Sequence, residues 1–520
     1  MRKIIILALG LSLIGCEQTA KEQTPLTESE IDALAERALD AFNIPGIGIG
    51  IIKDGKIVHA KGYGVKDIRT KDPVDADTLF QIASNSKAYT AATIALLIDE
   101  GKMSWDDKVT DHIPEFKMFE PYVTREFTVR DMLSHRSGLP LGAGDLLFFP
   151  DPIGKLDTVL KAIETIPPSS SFRSKYDYDN LMYILAGEVV ARVSGKPWSE
   201  FVEERIFTPL KMDDCRATYS RVPKDANIAT PHAMSDSILE VRDWVQHEFT
   251  GSVGGINCSI NSSLKWLKTQ LNHGVMDNGE PLFSKDRHGE MWSPQTIMST
   301  RPPQDVGQPV RMEHYALGWH LSNLPTHHQV ISHTGGLDGM LTSTVMLPEE
   351  NLGILVFTNQ ANGWARGAII SEILKGYVGD IVGAMSFDER VMASKESSSG
   401  AVEQMQAIWD ARDTTKTMSA PLIKYTGVYS DRWYGEVEIK MVDDTLRFIS
   451  NVSPNLKGTI KHFEGDTFIV EWDDRSMVAD AYMDFEIGYA MTVTNFTMRK
   501  FDPRTDFSFD FWDLDLRRIK

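Results

Sequence analysis

Thr78-Leu79-Phe80-Gln81-Ile82-Ala83-Ser84-Asn85-Ser86-Lys87-Ala88-Tyr89-Thr90-Ala91-Ala92-Thr93-Ile94-Ala95-Leu96-Leu97-Ile98 is the stretch around which this chain is organised. From Ala83 to Ile98 nearly every position is apolar or small, which predicts a helix packed on all sides. Asp99-Glu100-Gly101 ends it. Ser84 and Lys87 are three apart, so on such a helix they share a face. Burial disfavours an ammonium and leaves an amine able to act as a base. A base beside a hydroxyl activates a nucleophile.

Ser-x-x-Lys alone is weak, because so short a pattern recurs by chance. The chain carries a second copy, Ser262-Ser263-Leu264-Lys265. That copy follows Gly254-Gly255 and is expected to open a capped surface helix, with Asn261, Ser262 and Ser263 as candidate caps. Ser84 opens a helix too apolar for the surface. It could still be only a cap, so motifs downstream must decide.

The 520 residues imply two or three domains. A hydrophobic content of 42% and a charged content of 24% are those of a globular protein. The net charge of −19 argues against a nucleic-acid partner and against electrostatic attraction to anionic lipid. Arg2-Lys3 followed by the apolar run Ile4 to Ile14 has the form of an export signal over residues 1–15. Leu13-Ile14-Gly15-Cys16 looks like a bacterial lipoprotein site, in which Cys16 becomes the lipidated first residue; a plain signal peptide with an incidental cysteine is the alternative. Residues 16–29 would then tether the protein to a membrane of the bacterial envelope, periplasmic or outer. Cys215 and Cys258 remain, to pair or to stay as two buried thiols. The histidines show no metal spacing, and no metal site is expected.

Glu30 to Phe42 has helical periodicity. Ile47 to Ile52 and Lys56 to Ala60 flank Asp54-Gly55, a type I′ hairpin signature. Glycines at 46, 48 and 50 thin the first strand, as if to admit a helix. Residues 128–134 form a short capped helix, and His135 at its end is either a site residue or a structural hydrogen bonder. Helices are expected at 181–193, 199–206, 262–271 and 365–377, and strands at 342–347 and 353–358. Strands at both ends of one antiparallel sheet with helices inserted between them describe an α+β domain over residues 30–385. Residues 386–420 have linker composition around Lys395-Glu-Ser-Ser-Ser-Gly400, with a helix at 401–412. From Tyr425 the period becomes two, with runs at 425–429, 434–441, 445–450, 467–472, 479–486, 491–498 and 507–516. That predicts a small all-β barrel over residues 421–520.

Three motifs stand in order: Ser84-x-x-Lys87, Tyr178-x-Asn180 and His333-Thr334-Gly335. Together they resemble the serine β-lactamase and penicillin-binding hydrolase family, in its class C β-lactamase and D-aminopeptidase/esterase-like branch. Thr128 to Pro140, Phe207 to Met212, Ala229 to His232 and Tyr315 to Trp319 match the same pattern, so the resemblance covers about residues 28 to 385. The last hundred residues are similar to the lipocalin-like domain often attached to such hydrolases. The resemblance implies a β-lactamase/transpeptidase-like fold and an acyl-enzyme on Ser84. Lys87, or a Tyr178 phenolate held by it, would be the base. Tyr178 would protonate the leaving group and Asn180 would orient Lys87 and the substrate. His333, Thr334 and Gly335 would line the substrate cleft, and the backbone N–H groups of Ser84 and Gly336 would form the oxyanion hole. No cofactor is called for. The substrate would be a small peptide, an ester or a β-lactam. His333 stands where β-lactamases carry a lysine, and a neutral imidazole anchors a carboxylate weakly. That favours peptidase, amidase or esterase chemistry. A β-lactamase or a non-hydrolytic penicillin-binding sensor is the alternative.

Overall fold

A computed structural model describes residues 24–151, 153–236, 238–245, 248–302 and 309–520. The export signal and Cys16 lie outside the described residues. The described chain opens with helix α1 (Glu28–Phe42), started by a capping box in which Thr27 and Glu30 satisfy each other's backbone N–H groups. Strands β1 (Gly46–Lys53) and β2 (Lys56–Gly64) follow. Asp54 and Gly55 between them have φ of 52° and 73°, as a type I′ turn requires.

Helix α2 (Ser86–Asp99) runs through the interior, with every residue from Ser86 to Leu97 buried. Helices α3 (Asn180–Ser194) and α4 (Ile260–Leu271) follow. The chain then returns to the sheet through β3 (Thr296–Arg301), β4 (Arg311–Tyr315), β5 (His320–Asn323), β6 (Gln329–Leu337), β7 (Met340–Leu347) and β8 (Leu352–Thr358). These eight strands form one antiparallel sheet in the order β2-β1-β8-β7-β6-β5-β4-β3. The first hairpin thus sits beside the last strand, with Ile47 opposite Thr358 and Lys53 opposite Leu352.

Strand β1 shows why its sequence alternates. Ile47, Ile49 and Ile51 face one core, shared with α1 and with helix α5 (Gly363–Val378). Gly48 and Gly50 face α4, where a Cβ would lie 2.8 Å from the Ile260 side chain. Glycine is therefore what lets α4 lie on the sheet. This helix is not at the surface as expected: Ile260, Leu264 and Leu267 are buried against the sheet, and Ser259, not a later residue, caps it. Cys215 and Cys258 are joined as a disulfide.

The expected linker is a 24-residue helix, α6 (Phe387–Asp410), with Ser397 to Gly400 inside it. A capping box of Ser386 and Glu389 starts it. Its ends are anchored. Phe387 packs edge-on against Phe42 at 5.6 Å, and Trp409 packs on Phe463 at 5.4 Å in the C-terminal domain. Tertiary anchors at both ends override the weak helix propensity of serine and glycine between them.

The C-terminal domain is a closed eight-stranded barrel, from Gly427–Ser430 round to Asp515–Arg518. Its strand Lys457–Glu464 was not expected, because only Gly458 and Ile460 of its residues are buried and it shows little alternation. Conversely, 507–516 is not a strand until Asp515. Tyr425, Tyr429, Phe448, Phe468, Trp472 and Phe496 fill the barrel as core. Asp151 fastens the barrel to the larger domain, accepting from Ser453 Oγ at 2.6 Å and from Asn455 Nδ2 at 2.7 Å.

Candidate active site

Ser84 lies in a 3-10 turn, Ala83–Asn85, immediately before α2. From Thr78 to Leu97 it is the one residue that is not buried. Ala83 has φ 50°, a left-handed conformation that costs a side-chain-bearing residue energy. The turn is held by Thr342 of β7, which donates to the Ile82 carbonyl at 2.8 Å and accepts from Asn85 Nδ2 at 2.8 Å. It presses on β6 at Gly335, where a Cβ would collide with the Ile82 carbonyl oxygen and the Ala83 methyl.

Lys87, one turn on, is wholly buried. Its Nζ is 2.9 Å from Ser84 Oγ, 2.8 Å from Asn180 Oδ1 and 3.1 Å from the Val253 carbonyl oxygen. Burial pushes the ammonium well below its usual range, with Asp145 and Asp179 pulling the other way. The Tyr178 ring lies 4.8 Å from Lys87 Nζ. Burial pushes its phenol well above the ordinary value, and the Ser84 hydroxyl opposes that shift. Tyr178 and Asn180 therefore reach the same point, as two-apart residues in extended chain should, although Asn180 is already the first residue of α3.

Two turns of chain cradle these groups. Gly142 N–H donates to the Tyr178 carbonyl at 2.9 Å, and Asp145 Oδ2 accepts from Asn180 Nδ2 at 2.8 Å. His135, in a left-handed conformation at φ 51°, accepts the Asp179 N–H at Nδ1 and packs on Tyr178 with ring centroids 4.3 Å apart. Burial keeps its imidazole neutral by pushing it well below 6.5. It is a structural hydrogen bonder. On the other side, the π-helical turn Gly251–Gly255 delivers the Val253 carbonyl to Lys87. It closes on α3 at Gly187, where a Cβ would collide with the Ser252 side chain.

His333 of β6 is 2% exposed. Its Nε2 is 3.0 Å from the Tyr315 hydroxyl and its Nδ1 is 2.7 Å from the Thr334 carbonyl oxygen. Thr334 and Gly336 are exposed, and Gly335 is buried between them. Strand β6 pairs with β5 only over Gln329–Ser332, so His333–Leu337 has β7 on one side and no other strand partner among the described residues. The second Ser-x-x-Lys copy is elsewhere: Ser262 bonds to Asp214, and Lys265 Nζ reaches the Lys211 carbonyl.

Asp145, Val253 and Tyr315 were not singled out from sequence as partners of these groups. Gly254-Gly255 and Tyr315 to Trp319 marked two of the places, but nothing local marks Asp145. Fold and site together define a serine hydrolase of the β-lactamase fold, with a lysine-bearing helix beneath the serine. Residues 31–374 match the Beta-lactamase family, and the chain belongs to that family. Residues 411–518 match a domain of unknown function, DUF3471. The chain is similar to the unguisins hydrolase ungD' of Aspergillus campestris (strain IBT 28561), 25% identical over 428 residues that span 79% of this chain and 77% of that one. Its fold is shared with the octameric penicillin-binding protein homologue from Pyrococcus abyssi, at TM-score 0.55 and 19% identity over 95% of this chain and 100% of that one. It is also shared with the class C beta lactamase from Rhodobacter sphaeroides, at TM-score 0.54 and 20% identity over 66% of this chain and 98% of that one.

Proposed function

We propose that this protein hydrolyses an amide or ester through an acyl-enzyme on Ser84, and that peptide-type amides and simple esters are preferred to penicillins. The surroundings of Lys87 Nζ carry this proposal. A neutral amine has two N–H donors and one lone pair. The carbonyl oxygens of Asn180 and Val253 can only accept, so they take the two donors. The lone pair is left for the third neighbour, the hydroxyl of Ser84. Lys87 is thereby a base already aimed at its proton, and burial supplies the lowered basicity that frees it.

Tyr178 stays a phenol under the same burial and serves as the proton donor to the leaving group. Attack by Ser84 Oγ on the carbonyl carbon places negative charge on its oxygen, which the Ser84 and Gly336 N–H groups receive. The substrate preference rests on His333. Both of its ring nitrogens are engaged within the protein and burial holds it neutral, so it offers no charge to a penicillin carboxylate. A relative named as a hydrolase supports the hydrolytic reading. Export on the residue 1–15 signal and lipid attachment at Cys16, placing the protein on the bacterial envelope, complete the proposal.

Intact-mass spectrometry after a fluorophosphonate, a penicillin and a p-nitrophenyl ester tests it. A single adduct on Ser84, lost in Ser84→Ala, with ester turnover outpacing penicillin loss is the expected result. Fast penicillin loss overturns the preference, and a stable penicilloyl adduct without turnover makes the protein a sensor. The mass of the envelope-extracted protein, or its solubility after Cys16→Ala, tests the anchor.

A further inference from the structure

One carboxyl oxygen of Asp145, Oδ2, receives two hydrogen bonds. The first comes from Asn180 Nδ2 at 2.8 Å. The second comes from Ser508 Oγ at 2.9 Å, and Ser508 belongs to the C-terminal barrel domain, 363 residues away in sequence. Asn180 turns the other end of its amide to Lys87, which lies 2.9 Å from Ser84 Oγ. An unbroken chain of hydrogen bonds thus runs from Ser508 through Asp145 and Asn180 to Lys87. All four residues are buried.

The segment around Ser508 is built into the site loop. Gly144 N–H donates to Asp510 Oδ2. Gly142 lies so close to Phe507 that a Cβ there would sit 2.7 Å from the Phe507 carbonyl oxygen. The Phe507 ring meets Tyr178 edge-on at 5.7 Å, and Phe509 meets Phe149 at 5.0 Å. The two ends of the Asn180 amide are nearly the same size, so shape alone does not decide which one faces Lys87. An acceptor at Asp145 Oδ2 does decide it: the NH2 must face Asp145, and the carbonyl must face Lys87. Asp145 in turn holds its place through Ser508.

We infer that Ser508 of the barrel domain is a positioning residue of the active centre, acting through Asp145 on the Asn180 amide and so on the aim of Lys87 at Ser84. The inference rests on the assignment of Ser84 and Lys87 as nucleophile and base. It gives the C-terminal domain a part in turnover, and not only in stability.

The test uses the full-length chain in detergent, with a p-nitrophenyl ester as substrate. Ser508→Ala is expected to lower kcat about tenfold while KM stays within about twofold. Ser508→Thr, which keeps the hydroxyl, is expected to recover most of that loss. Asp145→Leu, which removes the acceptor for the Asn180 NH2 at similar volume, is expected to lower kcat about a hundredfold. A wild-type kcat in Ser508→Ala overturns the inference, as does an equal loss in Ser508→Ala and Ser508→Thr accompanied by equal loss of thermal stability. Should Ser508→Ala fail to fold, Asp145→Leu decides, and a wild-type kcat there overturns it. Fluorophosphonate labelling of the wild type separates the two levels. A labelled Ser84 with an unaffected Ser508→Ala overturns this inference alone, whereas an unlabelled Ser84 overturns the nucleophile assignment and the inference with it.

Discussion

The Tyr315 hydroxyl lies 3.0 Å from His333 Nε2, and the Thr334 carbonyl oxygen lies 2.7 Å from His333 Nδ1. A carbonyl only accepts, so Nδ1 carries the proton and Nε2 accepts from Tyr315. Burial and the neighbouring His320 and Lys87 push the imidazole well below 6.5. His333 is therefore a neutral, buried imidazole. Replacing it with glutamine keeps an acceptor for Tyr315. His333→Gln is expected to retain ester turnover to within about tenfold, whereas removing a proton-transfer group costs about a hundredfold or more. Steady-state kinetics decide between the two.

Gly335 is where the sheet meets the turn that carries Ser84. Its missing Cβ makes room for the Ile82 carbonyl and the Ala83 methyl. Gly335→Ala is expected to push Ser84 off its position, at a cost of about 1–3 kcal/mol in stability and about a hundredfold in the rate of Ser84 acylation. Fluorophosphonate labelling rates measure the second effect. Labelling at the wild-type rate would show that the turn tolerates the shift.

Ser262 separates motif from context. Its hydroxyl bonds Asp214 and it is only 3% exposed, but it lies away from Lys87. Ser262→Ala is expected to lose about 1 kcal/mol of stability and no turnover.

Asp513, in the barrel domain beside Asp510, is pushed up to about 6 by burial, with its bond to Asp510 working against the shift. The folded chain holds this proton more tightly than the unfolded chain. Its contribution to stability is therefore full below about pH 4 and is lost as the pH rises through 6. Asp513→Asn cannot ionise. It is expected to melt above wild type at pH 7.5, by roughly 1–2 kcal/mol, with the gap closing at pH 4. Calorimetry at the two pH values checks this, and a gap independent of pH would refute it.

The Cys215–Cys258 bond closes a sequence separation of 43 residues between the loop after residue 211 and the strand next to α4. Reduction, or replacement of both by serine, is expected to cost about 3–4 kcal/mol, mainly by freeing the unfolded chain. Thermal unfolding with and without reductant measures it.

The sequence by itself determined a good deal. The spacing of Ser84 and Lys87, the apolar run behind them, the Asp54-Gly55 turn and the alternating glycines of β1 are all local patterns. Each reports a backbone period or a required φ, so each was legible without a structure. What only the tertiary structure decided is what those residues touch. Lys87 meets Asn180 across 93 residues and Val253 across 166, and Asp145 meets Ser508 across 363. A hydrogen-bond partner leaves no mark on the period of its own segment. The stretch 507–516 shows the same limit from the other side. Its alternating Phe507, Phe509 and Phe511 predicted a strand, yet Phe509 packs on Phe149 across the domain boundary and Phe511 on Trp472 of the barrel. Periodicity records that alternate side chains leave water. Only the closed fold determines whether they leave it for their own sheet or for a neighbouring domain.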